Sequence, residues 1–121
     1  MSSARIVAVL EDDPASADAL ALILSDCGAV AIHGLTAEDI LSKLDGLAHQ
    51  LHAIIADFNI GDYPHGVDAA TALRQAAPHA RVLILTGSMR KRGEAVARSV
   101  GYEVMYKPAR AEAIIDWLLK P

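Results

Sequence analysis

The sequence predicts an α/β fold, a doubly wound sandwich around a five-stranded parallel sheet, and three observations carry that expectation. Short apolar runs of strand length alternate about five times with segments of helical period. The runs are apolar throughout instead of alternating with polar residues, which suits parallel strands covered on both faces. No Gly/Ser/Pro-rich linker or internal repeat divides them, so residues 1–121 read as a single domain.

Each element has its own signal. Ile6 to Leu10 is the first strand, and Pro14, suited to a first helical turn, opens a helix with Asp13 as its cap. Leu20, Ile23, Leu24 and Cys27 mark the inward face of that helix, which stops at Gly28. Val30 to Ile32 is a short second strand. Thr36, with Asp39 three residues on, resembles a capping box for a second helix whose inward face is Ile40, Leu44 and Leu47. Ala53 to Ala56 is the third strand, and a loop from Asp57 to Gly66, longer than its neighbours, leads to a helix from about Val67 to Ala77 that Pro78 closes. Val82 to Leu85, an amphipathic helix from about Arg92 to Val100, and Val104 to Tyr106 follow. A last helix carries Ala111, Ile114, Ile115 and Leu118 on one face, with Trp117. That stripe is read first as core, with a homodimer face as the alternative.

Composition removes several classes of function. Eleven Lys plus Arg against 15 Asp plus Glu give a formal charge of -4, the wrong sign for a nucleic-acid surface. The single Cys27 forms no internal disulfide and, without a Cys/His cluster, no structural zinc site. The first apolar run has only five residues before acids follow, and no stretch approaches the roughly 18 needed to span a bilayer. The expectation is a cytoplasmic protein with no direct nucleic-acid or membrane partner.

In an open parallel sheet, ligands collect outside the carboxyl ends of the strands. Glu11, Asp12 and Asp13 follow the first strand here, Asp57 the third, Thr86 the fourth, and Lys107 with Pro108 the fifth. Any one of these acids alone would pass as a cap or a solvated turn residue. Together they are not decoration, because like charges about 4 Å apart repel by roughly 4 kcal/mol at an effective dielectric of 20. A hard divalent cation with oxygen ligands, Mg²⁺ by preference, offsets that repulsion, and a phosphoryl group sharing the site suits Lys107 and Thr86.

With these residues in this order, nearly the whole chain resembles the receiver domains of two-component response regulators, a CheY-like, flavodoxin-like family with strand order 2-1-3-4-5. The resemblance rests on Glu11-Asp12, the lone Asp57, Thr86-Gly87 and Lys107-Pro108. It implies that Asp57 is the phosphoacceptor, taking a phosphoryl group from a phosphohistidine on a histidine kinase or histidine phosphotransfer protein. It further implies that Asp12 binds Mg²⁺ directly, Glu11 through water, and the Asn59 backbone carbonyl as a further ligand beside Asp57. Thr86 and Lys107 would hold the phosphoryl oxygens, Gly87 would leave the site accessible, and Pro108 would occupy the family's cis-peptide position, against the simpler reading of a helix-start proline. The family's members are phosphoacceptors that assist their own phosphorylation and reset, not enzymes acting on a separate substrate.

The chain departs from the family in two places. Glu11 stands where Asp is more usual, a longer arm toward the same metal. Val104 occupies the position three residues before the lysine where the family places its switch aromatic, while Tyr106 reads as a packing residue. Output would then pass through the loops and the fourth helix to a separate effector protein, the chain being either a stand-alone receiver or the receiver portion of a hybrid kinase or a longer regulator. Arg90, Lys91 and Arg92 stand unfavourably against a helix dipole and read as loop, solvated face or partner patch. His49 and His52 are spaced for one helical face without a third metal ligand, and His65 reads as solvated, with approach to the site as the alternative. Two other classes compete. A non-phosphorylated pseudo-receiver would keep the fold as an interaction platform. A flavodoxin-like nucleotide-binding enzyme would need a glycine-rich loop where the sequence has Leu10-Glu11-Asp12-Asp13-Pro14.

Overall fold

The computed structural model describes residues 5–60, 66–87 and 91–120. Five parallel strands, β1 (Arg5–Leu10), β2 (Ala29–Gly34), β3 (Leu51–Asp57), β4 (Arg81–Thr86) and β5 (Glu103–Tyr106), form one sheet in the order β2-β1-β3-β4-β5. Helices α1 (Pro14–Asp26), α2 (Ala37–Leu44), α3 (Gly66–Ala76), α4 (Lys91–Ser99) and α5 (Ala111–Leu119) connect and cover the strands. This is the predicted doubly wound fold, with the strand order that the resemblance implies.

The period of two along each central strand builds two cores. Ala8, Leu10, Ile54, Ala56, Val82 and Ile84 face α2, α3 and α4, meeting Ile40, Leu44, Leu73 and Ala97. Val7, Val9, Ala53, Ile55, Leu83 and Leu85 face the opposite way and pack on Leu20 and Leu24 of α1 and on Ile114, Trp117 and Leu118 of α5. Continuous apolar runs in β1, β3 and β4 follow from this, since both faces of the sheet are covered.

The helix caps are as expected. Asp13 Oδ2 accepts from the Ser16 N–H at 3.2 Å and from its hydroxyl at 2.7 Å, bonds that hold the Asp13 carboxyl below its usual range. Thr36 Oγ1 accepts from the Asp39 N–H at 3.0 Å, and Gly28, at φ +81, ends the turn after α1. On the edge strand β2, the His33 carbonyl accepts from Lys43 Nζ at 2.6 Å, and Lys43 pairs with Asp39 at 3.5 Å.

Several local expectations need correction. The second helix ends at Leu44, because Asp45 turns into the left-handed region (φ 48) and Gly46 continues there (φ +84). Leu47 therefore lies outside the helix, 44% exposed, instead of on its inward face. His49 falls in a short 3₁₀ turn, Ala48–Gln50, and His52 in β3, so they share no helical face. Strand β2 is six residues long rather than three, and α4 begins at Lys91. Cys27 is only half-buried, its thiol donating to the Leu24 carbonyl at 3.3 Å. Arg90 and His65 lie outside the described residues. No helix among the described residues is long and apolar enough to cross a membrane.

Candidate functional site

Parallel registry brings the polar residues singled out in the sequence to one edge of the sheet. Leu10 lies beside Ala56, Asp57 beside Leu85, and Thr86 beside Tyr106, so Glu11, Asp57, Thr86 and Lys107 follow one another across adjacent strand ends. One carboxylate oxygen from each of Glu11, Asp12 and Asp57 lies within 4.8 Å of the other two. Glu11 is buried at 2% exposure, Asp57 is partly buried and Asp12 is exposed.

The lysine crosses this cluster. Lys107 Nζ is 3.3 Å from Asp57 Oδ2 and 3.7 Å from Glu11 Oε2. The Lys107 N–H donates to the Thr86 carbonyl at 2.7 Å, and the Lys107–Pro108 peptide is cis, as the resemblance implies. Glu11 is anchored through Oε1, which accepts from the Asp13 N–H at 3.1 Å. Burial, and then the neighbouring Asp57 carboxylate, push the Glu11 carboxyl above its usual range; the Asp13 N–H and the Lys107 ammonium pull the other way and do not win.

Thr86 is fully buried, and its hydroxyl has no hydrogen-bond partner among the described residues. An orphaned buried hydroxyl costs about 1–3 kcal/mol, so this one is held at the strand end against its own preference. Asn59 directs its N–H toward Asp57 Oδ1 at 3.4 Å. Gly87 is exposed, and a Cβ there would meet nothing within 4 Å.

Two contributors carried no functional signal in the sequence. His33, level with Val9 in the β1–β2 pairing, places Nε2 2.6 Å from the Glu11 carbonyl oxygen. Gly66 starts α3 so close to β3 that a Cβ would overlap the Asp57 carbonyl oxygen, while its N–H donates to the Phe58 carbonyl at 3.0 Å. An isolated Gly at a loop-to-helix junction was the one available hint of such an approach.

The flank of the site corrects one expectation. Tyr106 is 48% exposed rather than packed, and its hydroxyl donates to Glu94 Oε2 at 3.2 Å; Glu94 in turn pairs with Arg98 at 3.0 Å. Partial desolvation, followed by the Glu94 hydrogen bond and charge, raises the Tyr106 phenol above its ordinary value of 10. Val104, at the family's usual aromatic position, is buried in the core.

By sequence, the chain matches no family model and no curated protein. By structure it superposes on a CheY-like response regulator receiver domain protein from Methanospirillum hungatei with a TM-score of 0.81, at 18% identity over 96% of this chain and 91% of that one. The chain has the fold of a receiver domain. A response regulator from Thermotoga maritima gives a TM-score of 0.79 at 16% identity over 98% of this chain and 97% of that one. A response regulator protein from Burkholderia pseudomallei, solved with a phosphorylated aspartic acid, a calcium ion and citrate, gives 0.79 at 25% identity over 96% of this chain and 67% of that one. Within this receiver fold, the cluster of three carboxylates offers only hard oxygen donors, which fits a divalent cation such as Mg²⁺.

Proposed function

We propose that this receiver domain accepts a phosphoryl group on Asp57 from a phosphohistidine of a histidine kinase or histidine phosphotransfer protein, with Mg²⁺ as cofactor. The observation that carries the reading is the cluster of Glu11, Asp12 and Asp57 within 4.8 Å, crossed by the Lys107 ammonium. The orphaned Thr86 hydroxyl at the same edge adds support, since a phosphoryl oxygen supplies the acceptor it lacks.

An Asp57 oxygen attacks phosphorus as the phosphorus–nitrogen bond to histidine breaks, leaving an acyl phosphate on Asp57 and returning the imidazole to its carrier. Lys107 and Thr86 hold the phosphoryl oxygens, so charge that builds in the in-line transition state meets fixed partners. Asp12 would hold Mg²⁺ directly, Glu11 through water, and the Asn59 carbonyl would complete the protein's share alongside Asp57. When bound, the metal neutralises charge on the carboxylates and the incoming phosphoryl oxygens. Water attacking the same phosphorus resets the domain. The phosphorylated state passes to an effector protein through surface contacts, in the cytoplasm.

The test is intact-protein mass after incubation with acetyl phosphate, with and without Mg²⁺, for wild type, Asp57→Asn and Lys107→Ala. A metal-dependent gain of one phosphoryl group, absent in Asp57→Asn, is expected. Lys107→Ala should retain some labelling but lose the conformational response. Labelling that survives Asp57→Asn unchanged removes the assignment, and no labelling together with no beryllofluoride binding makes the chain a non-phosphorylated interaction platform.

A further inference from the structure

At the opposite end of the sheet, α3 ends and β4 and β5 begin around a cavity of about 190 Å³ lined by Arg74, His79, Arg81, Tyr102, Glu103 and Trp117. Along β4, Arg81 is five residues from Thr86, about 16 Å at the rise of an extended strand. The cavity is therefore separate from the acidic edge. We propose that it binds a small oxyanion carrying two negative charges, a phosphate monoester or a dicarboxylate.

Two guanidinium groups with no carboxylate partner among the described residues line the same space. Neither Arg74 nor Arg81 forms an ion pair among the described residues, and both are half-buried. Glu103 lines the cavity as well, leaving two fixed positive charges against one negative. Each guanidinium is already oriented. Arg74 donates through Nη2 to the Pro78 carbonyl at 3.0 Å, with its central carbon 5.8 Å from the Tyr102 ring centre. Arg81 donates through Nη1 to the Lys120 carbonyl at 2.8 Å, with its central carbon 5.0 Å from the Trp117 ring centre.

These bonds use one nitrogen of each planar fork, and a guanidinium has five N–H donors. Arg74 Nε is moreover buried without an acceptor among the described residues. Planar forks match carboxylate and phosphate oxygens, and a donor pair fixed in advance loses little entropy on binding. A cavity of this volume holds several waters or one small oxyanion, not a nucleotide.

Trp117 is the chain's single tryptophan and lies under Arg81, so its fluorescence reports the cavity directly. The experiment titrates the full chain, free of divalent metal, with inorganic phosphate, with succinate, and with sodium chloride at matched ionic strength. A saturable change with phosphate or succinate and none with chloride is expected. Whichever dianion saturates at the lower concentration identifies the ligand chemistry. Arg74→Gln should raise the half-saturating concentration at least about tenfold, the loss of one charge-assisted hydrogen bond, and Arg81→Lys should retain binding in part. Asp57→Asn should leave the titration unchanged. A response equal to that of chloride, or one that Arg74→Gln leaves unaltered while its circular dichroism stays native, overturns the proposal.

Discussion

The two ends of this sheet carry opposite charge and hold it by opposite means. At the carboxyl ends, three carboxylates on short arms project from or just beyond rigid strands, and one lysine spans two of them. At the amino ends, two arginines on long arms reach in from a helix end and a strand start and are steadied by aromatic rings. The acids owe their closeness to backbone registry, so their repulsion is built into the fold; the arginines owe theirs to side-chain packing, which stabilises them where they stand. Removing a charge should therefore have opposite consequences at the two ends.

The largest effect expected is at the acidic end and involves no charge. Gly66→Ala forces a methyl into the Asp57 carbonyl, an overpacking that should cost about 3 kcal/mol in urea unfolding and reduce the proposed phosphorylation of Asp57 by moving β3. Unchanged stability would mean that α3 can retreat, and that the acids are less rigidly placed than their registry suggests.

Next comes the built-in repulsion itself. Mg²⁺ at 100 times its dissociation constant should stabilise the wild type by about 2.7 kcal/mol, read as a rise in melting temperature that a chelator reverses. Without metal, Glu11 has a raised carboxyl pKa, so its contribution to stability is present below the ordinary value of 4.5 and is lost as pH rises through its higher folded value. Glu11→Gln cannot titrate. In chelator, its melting temperature should gain on the wild type as pH rises through that interval, and added Mg²⁺ should close the gap. A gap that is independent of pH would locate the repulsion elsewhere.

The smallest effect is at the basic end and has the other sign. Arg81→Gln gives up the stacking on Trp117 and the bond to the Lys120 carbonyl, a loss of about 1–2 kcal/mol that Mg²⁺ should not alter. A stabilising Arg81→Gln would make the two ends alike and end the contrast.

The acidic end was legible because its residues obey a positional rule: each follows an apolar strand, and parallel topology carries strand ends to one edge. The basic cavity obeys none. Arg74, Arg81, Tyr102 and Trp117 belong to different elements or the turns between them, and only the packed molecule brings them together. Among the elements, the second helix was overextended to Leu47 because its apolar period continues past Asp45-Gly46, and the left-handed turn overrides periodicity there. Strand alternation set Tyr106 opposite Met105, on the face of buried Val104, but Tyr106 ends an edge strand and its hydroxyl reaches Glu94 of α4 at the surface. The burial of Glu11 came from tertiary packing, since nothing in its neighbours distinguishes it from the exposed Asp12.

The bond from Lys43 to the His33 carbonyl has a meaning beyond its own stability. Strand β2 is an outer strand of an otherwise well-covered sheet, with Val30 47% exposed along it, the kind of border on which stray chains add and aggregates grow. There the side chain of Lys43 occupies a main-chain acceptor and brings an ammonium and its Asp39 partner to the margin. An incoming strand would have to dislodge a charged donor to pair at that point. The same helix that closes the core thus acts as a guard on the border of the sheet.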